Sequence, residues 1–265
     1  MDFKLYNGSV EISFTESNHS YWIKDNGKKR RLAGVTTFIG ILDKPAIVPW
    51  AVGLTVEYIR DHIADLQSMD ANELLNRAKE EANNQRDIAG EIGKAIHAWV
   101  EAHIKGDEPE MPDDAKVLQG VVSFLDWTHD HKVEFLDSEK VVYSKFFDYV
   151  GTLDLIVKID GKKYLADIKT GNALYPEVRL QTSAYLKAYE EESGEKLDGR
   201  IAIRISKETE EEYKARMEKK GKTDYPEYKI FEAVMLDEDE NLLEQDFSGF
   251  INCLDLYRWK SKAKI

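Results

Sequence analysis

The sequence predicts an α/β protein, a mixed β-sheet core flanked by helices with a helix-rich N-terminal half. Three observations carry this. Residues 47–131 place apolar side chains at helical spacing, whereas residues 132–170 change to the period and the β-branched content of strands. Beyond residue 175, helix and strand patterns alternate, as in mixed α/β folds. With 265 residues and 42% hydrophobic content, the chain is long enough to bury a full core.

Taken in order, SVEISF (9–14) and HSYWIK (19–24) alternate like short strands and lead into a loop, DNGKKRR (25–31). In VTTFIGIL (35–42), Thr36 or Thr37 is placed to cap a short helix. A helical pattern runs from Ile47 to about Lys105, with breaks expected near Ser68-Met69-Asp70 and Asn83-Asn84. Pro109 and Pro112 interrupt it, and Asp113 can cap a further helix to about His131. Lys132 to Ser144 reads as a strand. Val150–Ile159 and Lys162–Thr170 then read as a hairpin about Asp160-Gly161, a strong type I′ turn signal. Next come a helix from about Tyr175 to Ser193, a strand GRIAIRIS (199–206) and a charged helix from Lys207 to Lys220. A strand around YKIFEAVML (228–236) and a final helix to about Arg258 complete the chain. No repeat or low-complexity linker divides it, so one domain is expected.

Composition narrows the functional classes. A net charge of −13 disfavours indiscriminate binding to a polyanion but leaves room for a local basic groove. Candidate basic segments are Lys28–Arg31, Lys162-Lys163, Lys214 to Lys222 and the tail from Arg258 to Lys264, each of which serves equally as a solvated face. No apolar run approaches the ~18–20 residues of a membrane span, and MDFKLYNGSVEIS lacks a basic-then-apolar leader pattern, so an intracellular, cytoplasmic protein is expected. The single cysteine, Cys253, leaves no intrachain disulfide and no Cys-rich zinc or iron–sulfur site from this chain alone.

The hairpin carries the chemistry. Its strands are apolar at Leu153, Leu155, Val157, Leu165 and Ile168, yet they also hold Asp154, Asp167 and Lys169. A two-residue loop fixes the register so that Asp154 faces Asp167, with Cβ atoms about 4.5–5.5 Å apart, and Lys169 emerges on that face one pleat on. Two carboxylates so close repel each other, and either a shared proton or a bound cation relieves them. Mg²⁺, a hard cation held by one or two carboxylates, fits this pattern. The plain alternative is a cross-strand ion pair on a surface hairpin. Two helical spots add polar groups: His97 shares a stripe with Gly93, Val100, Glu101 and Ile104, and Gln181 and Tyr185 lie one turn apart. Taken alone, each reads as well as a core residue.

Together, Gly93-Lys-Ala-Ile-His97 on a helix, Gly151-Thr-Leu-Asp154, Asp167-Ile-Lys-Thr-Gly171 and Gln181-Thr-Ser-Ala-Tyr185 resemble the RecB-like branch of the PD-(D/E)XK nuclease superfamily. The likeness covers roughly residues 35–190, and VTTFIGIL and Tyr143-Ser144 are similar to the lead-in of such proteins. It implies one restriction-endonuclease-like domain over residues 1–265, with a core at about 90–235, an N-terminal strand and helix region at about 1–89 and a C-terminal helix at about 238–258.

By that resemblance Asp154 and Asp167 are the metal-binding carboxylates, Lys169 the catalytic lysine, the Ile168 carbonyl and His97 further ligands, and Gln181 and Tyr185 the pair facing active site and DNA. Leu153 stands where the name-giving motif has proline, and the four cluster-binding cysteines of many relatives are absent. Glu139, in SEKVVYS on the preceding strand, can lie in a layer of the site.

The resemblance also implies a Mg²⁺- or Mn²⁺-dependent deoxyribonuclease that leaves 5′-phosphate and 3′-hydroxyl ends, with exonuclease preferred to endonuclease. Its setting would be DNA recombination, repair or phage DNA processing. Beside the bound metal, Lys169 is expected to have a depressed pKa, and Trp99, Trp127 or Tyr175 are candidates for guiding a strand, though each also suits a core. DNA is the expected partner, with a homo-oligomer or a recombination protein as further partners. A non-catalytic nucleic-acid-binding or assembly subunit with the same fold, or a ribonuclease, is the rival reading.

Overall fold

The computed structural model describes residues 1–263 except residues 26, 68, 69 and 240. The helix break expected at Ser68-Met69 and the end of the basic tail at Lys264 lie outside the described residues.

The expectation of a helix-rich N-terminal half is corrected at its start. Residues 2–32 form a four-stranded antiparallel sheet in sequential order, β1 (Asp2–Leu5), β2 (Val10–Thr15), β3 (Ser20–Asp25) and β4 (Lys28–Leu32). The basic run read as a loop is therefore strand β4. It lacks apolar alternation because one of its inward positions is Arg30, opposite Ile23, which is satisfied by Asp148 at 2.7 Å rather than by packing. Leu5, Val10, Ile12, Tyr21, Ile23 and Leu32 make the sheet's apolar face and bury against Val141, Tyr143 and Val150 of the main sheet.

Four helices follow, α1 (Val35–Ile39), α2 (Ile47–His62), α3 (Ala71–Lys105) and α4 (Ala115–Asp130). Capping differs from expectation in two places. Gly34, not a threonine, precedes α1, and Asp114, one residue beyond Asp113, caps α4 by accepting from the amides of Lys116 and Val117. Asp70 caps α3, which continues through Asn83-Asn84 without a break. Asparagine costs an exposed helix only a few tenths of a kcal/mol, and Asn83 donates to Glu80 one turn back.

The main sheet has the order β5 (Glu134–Ser144), β6 (Tyr149–Ile159), β7 (Lys162–Thr170), β8 (Gly199–Ile205) and β9 (Phe231–Met235). All neighbours are antiparallel except β7 and β8, which run parallel because α5 (Glu177–Ser193) crosses over between them. The charged helix α6 (Glu210–Lys219) starts three residues later than expected, at a capping box of Thr209 and Glu212. A long helix, α7 (Leu242–Lys262), ends the described chain.

Helices cover both faces of this sheet. On one, Leu153, Ile156 and Leu165 pack with Phe38, Ala184, Tyr185, Leu186, Phe250 and Leu254 of α1, α5 and α7. On the other, Leu155, Val157, Ala166, Ile168, Ile201 and Ile203 pack with Ile96, Val100, Val121 and Phe124 of α3 and α4. Leu153 and Ile156 share one face although strand alternation would separate them, so the pleat loses phase across Asp154.

Candidate metal centre

The hairpin forms as its sequence dictates. Asp160 and Gly161 both take positive φ, 50° and 81°, as a type I′ turn requires, and the register runs from Ile159 opposite Lys162 to Leu155 opposite Ala166. The next pair would be Asp154 with Asp167, and there the ladder stops. Asp154 instead turns its carboxylate into the gap between the strands, where Oδ2 accepts the Ile168 amide at 2.7 Å. The expected face-to-face ladder pair is thus corrected: Asp154 takes a backbone acceptor's place.

On the other side of β6, Ser138 pairs with Leu155 and Lys140 with Leu153, which puts Glu139 level with Asp154. Glu139 has φ 48°, a left-handed conformation that costs a non-glycine residue of order 1 kcal/mol or more within a strand. His97 reaches the same place from α3. Ligand atoms of His97, Glu139 and Asp154 all lie within 4.8 Å of one another. They line a small pocket with Val100, Glu101, Ser138, Leu155 and Ile168. Burial, followed by the charges of Asp154 and Glu101, pushes the Glu139 carboxyl up to about 7. Carboxylates crowded in this way lack a counter-charge that a divalent cation would supply, and a histidine with carboxylates is a donor set suited to Mn²⁺ or Mg²⁺.

Asp167 is fully buried, and neither of its carboxylate oxygens accepts an aligned hydrogen bond. Among the described residues its one neighbour of opposite charge is Lys169, whose Nζ lies 2.5 Å from Oδ2. Burial pushes the Asp167 carboxyl well above the carboxylate range, and Asp154 adds to this while Lys169 opposes it. A buried acid with so few partners fits a cation that the chain's other carboxylates would share. For Lys169, burial and neighbouring charge act in opposite directions. Burial lowers its pKa, but the charges of Asp167 and Asp154 outweigh burial and raise it overall. The expected depression needs a cation beside the lysine; the protein's own groups pull the other way.

Gln181 and Tyr185 face each other as well as the site. Gln181 Nε2 donates to the Tyr185 hydroxyl at 3.1 Å, and the buried Tyr185 ring lies within the fields of Asp167 and Asp154. Two glycines make these approaches possible. A Cβ on Gly151 would meet Tyr185 Cε1 at 2.3 Å, and one on Gly93 would meet Thr170 Oγ1 at 2.5 Å. The glycines of both sequence motifs are therefore packing requirements, one seating Tyr185 on β6 and the other seating α3 on the end of β7.

Of the residues expected in the site, His97 and Asp154 come together directly. Asp167, Ile168 and Lys169 follow on the neighbouring strand, and Tyr185 with Gln181 closes the side toward α5. Glu139 belongs to the inner group, beyond its expected place in a surrounding layer, and Glu101 joins it one helical turn after His97. Glu139 left little trace in the sequence, because a lone acid in a half-buried strand has many structural uses. Trp99 and Trp127 are buried, the first donating to the Glu110 carbonyl, so neither guides a strand; Tyr175 is exposed. Several basic residues are neutralised within the chain, Lys163 by Glu195, Lys214 by Glu210 and Lys219 by Glu57. Among the described residues no helix is long and apolar enough to cross a membrane. No protein-family model matches the sequence, and no curated protein matches it.

Proposed function

We propose that this chain is a Mg²⁺- or Mn²⁺-dependent deoxyribonuclease, working as an exonuclease on linear DNA. The observation that supports this reading best is the convergence of His97, Glu139 and Asp154 beside a buried Asp167 paired with Lys169. Four acidic or imidazole donors converge from one helix and three adjacent strands, and the fully buried Asp167 among them opposes folding unless its charge is met.

His97, Glu139, Asp154 and Asp167 would hold the cation. A divalent ion so held polarises a phosphate oxygen and lowers the pKa of bound water. The chain's own groups supply the remainder. Lys169, held beside Asp167, would either stabilise the negative charge that develops on the phosphate or assist deprotonation of the bound water. Asp167 holds Nζ in place, and Asp154 is itself held by the Ile168 amide. Tyr185 and Gln181 fill the wall toward α5, excluding water from one side of the carboxylates.

The test is cleavage of linear and covalently closed circular DNA by the purified chain with Mn²⁺ or Mg²⁺, beside an Asp167→Ala form. Loss of linear DNA alone, abolished by the substitution, is expected. Cleavage of circles would make the protein an endonuclease, and cleavage of RNA only would change the substrate class. Binding with no cleavage by either form would favour a non-catalytic nucleic-acid-binding subunit.

A further inference from the structure

The parallel strands β7 and β8 end side by side, with Thr170 level with Ile205, and the Gly171 amide closes the pair on the Ile205 carbonyl at 2.9 Å. The carboxyl ends of neighbouring parallel strands are where open α/β sheets place their ligands. Lys207 leaves β8 at this edge, two residues beyond Ile205. Its ammonium and the Thr170 hydroxyl converge over Gly93 of α3: a Cβ built there would meet Thr170 Oγ1 at 2.5 Å and Lys207 Nζ at 3.4 Å. Only the missing side chain of Gly93 leaves room for both.

Lys207 differs from its fellow cations. It is partly buried, and among the described residues no carboxylate pairs with it, in a chain with 50 acidic residues against 37 basic ones. Burial alone lowers its pKa, with no nearby acid to offset the loss of solvent. Among the described residues the Thr170 hydroxyl has no hydrogen-bond partner either. A half-desolvated ammonium beside a free hydroxyl is a disfavoured arrangement that an anion would relieve.

Position defines the anion. Gly93 precedes His97 by one helical turn, about 6 Å along the axis of α3, and Thr170 follows Lys169 on β7. Resting on the nuclease reading above, we infer that Lys207 and Thr170 form a phosphate-binding subsite, taking a phosphodiester next to the scissile one on the same strand. Lys207 contributes charge and Thr170 a hydrogen bond, while Gly93 gives these two groups room to converge. The subsite sets where the strand lies along the sheet edge and takes no part in bond cleavage.

The experiment compares the full chain with Lys207→Met, Lys207→Arg and Thr170→Val forms, using fluorescein-labelled linear DNA with Mn²⁺ across a salt series. Methionine keeps the aliphatic stem, so packing beneath Gly93 survives. Lys207→Met is expected to raise KM about tenfold with kcat held within about twofold, and to flatten the salt dependence by about one phosphate's contribution. Lys207→Arg is expected to restore most of KM, and Thr170→Val to raise it about threefold. An unchanged KM and salt slope in both Lys207→Met and Thr170→Val would overturn the inference while leaving the nuclease reading standing. A fall in kcat alone would do the same. Failure of the unsubstituted chain to bind or cut DNA would bring down both readings together.

Discussion

The Asp154 carboxylate accepts the Ile168 amide at 2.7 Å, across strands whose ladder has just ended at Leu155 and Ala166. One oxygen is thereby fixed by the backbone, and the side chain stands in the opening between β6 and β7 with His97 and Glu139. Asp154→Asn keeps an oxygen for that amide but removes the charge. Its metal-free stability is expected to match or exceed that of the unsubstituted chain, because the repulsion felt by Glu139 and Asp167 is relieved. Stabilisation by Mn²⁺ is expected to vanish, where a binding-competent chain gains about 2.7 kcal/mol at a hundred times Kd. Thermal melts with and without Mn²⁺ decide this, and an equal metal-induced shift in both forms refutes it.

A second expectation concerns pH. Glu139 is pushed up to about 7 and Asp167 is also raised, both through burial first. An acid whose folded pKa lies above its unfolded value binds a proton more tightly when folded. Its stabilising contribution is complete below the ordinary carboxylate pKa and is lost as pH rises through the folded value. The metal-free protein should therefore gain stability on acidification from pH 8 toward pH 5, in contrast to chains whose acids are all ion-paired. Metal binding should run the other way, strengthening as pH rises and the ligands lose their protons. Urea midpoints at both pH values, with Glu139→Gln flattening the profile, provide the measurement.

Much of this was legible in the sequence where short-range rules govern. Asp160-Gly161 dictated the turn, and the turn dictated the register as far as Leu155 opposite Ala166. The close approaches at Gly93 and Gly151 show only in the folded chain, with Thr170 and Tyr185 as the neighbours. What escaped depends on the third dimension. Strand β4 was hidden because its inward Arg30 is satisfied by Asp148, more than a hundred residues on. Glu139 was underweighted because its role rests on a left-handed φ that no residue type at that position announces. The end of the ladder at Leu155 arises from competition between a side-chain acceptor and a backbone one, which a strand pattern does not encode.

Gly151→Ala tests the seating of Tyr185. The added methyl would sit 2.3 Å from Cε1 of a ring that is itself buried, between a strand backbone and helix α5. Neither side is free to yield, so overpacking should cost about 1–3 kcal/mol. Because the ring must shift, the Gln181 contact and the wall beside Asp167 shift too, and activity should fall further than stability alone explains. Tyr185→Phe isolates the hydroxyl: it keeps the ring, removes Gln181's acceptor and should cost about 1 kcal/mol. Denaturation midpoints with kcat for the two variants separate packing from hydrogen bonding; equal stability of Gly151→Ala and the unsubstituted chain would contradict the close approach.

Arg200 gives the last prediction, about the frame that holds β8 and so Lys207 in place. Its side chain is fully buried, and its guanidinium donates to Asp237 from Nε at 3.0 Å, to Asp246 from Nη2 at 2.7 Å and to the Arg179 carbonyl from Nη1 at 2.8 Å. One planar group thus joins β8, α5, α7 and the segment after β9. Arg200→Met preserves volume but leaves the largely buried Asp237 without its cation, while Asp246 keeps Arg179 at 3.0 Å, a loss of about 3–5 kcal/mol. Lysine should not rescue it, since a single ammonium cannot span three acceptors fixed to a planar fork. Adding Asp237→Asn to Arg200→Met should recover part of the loss by removing the stranded charge. Urea unfolding of these three forms measures it, and a single-substitution cost below about 1 kcal/mol would show that Asp237 finds water instead.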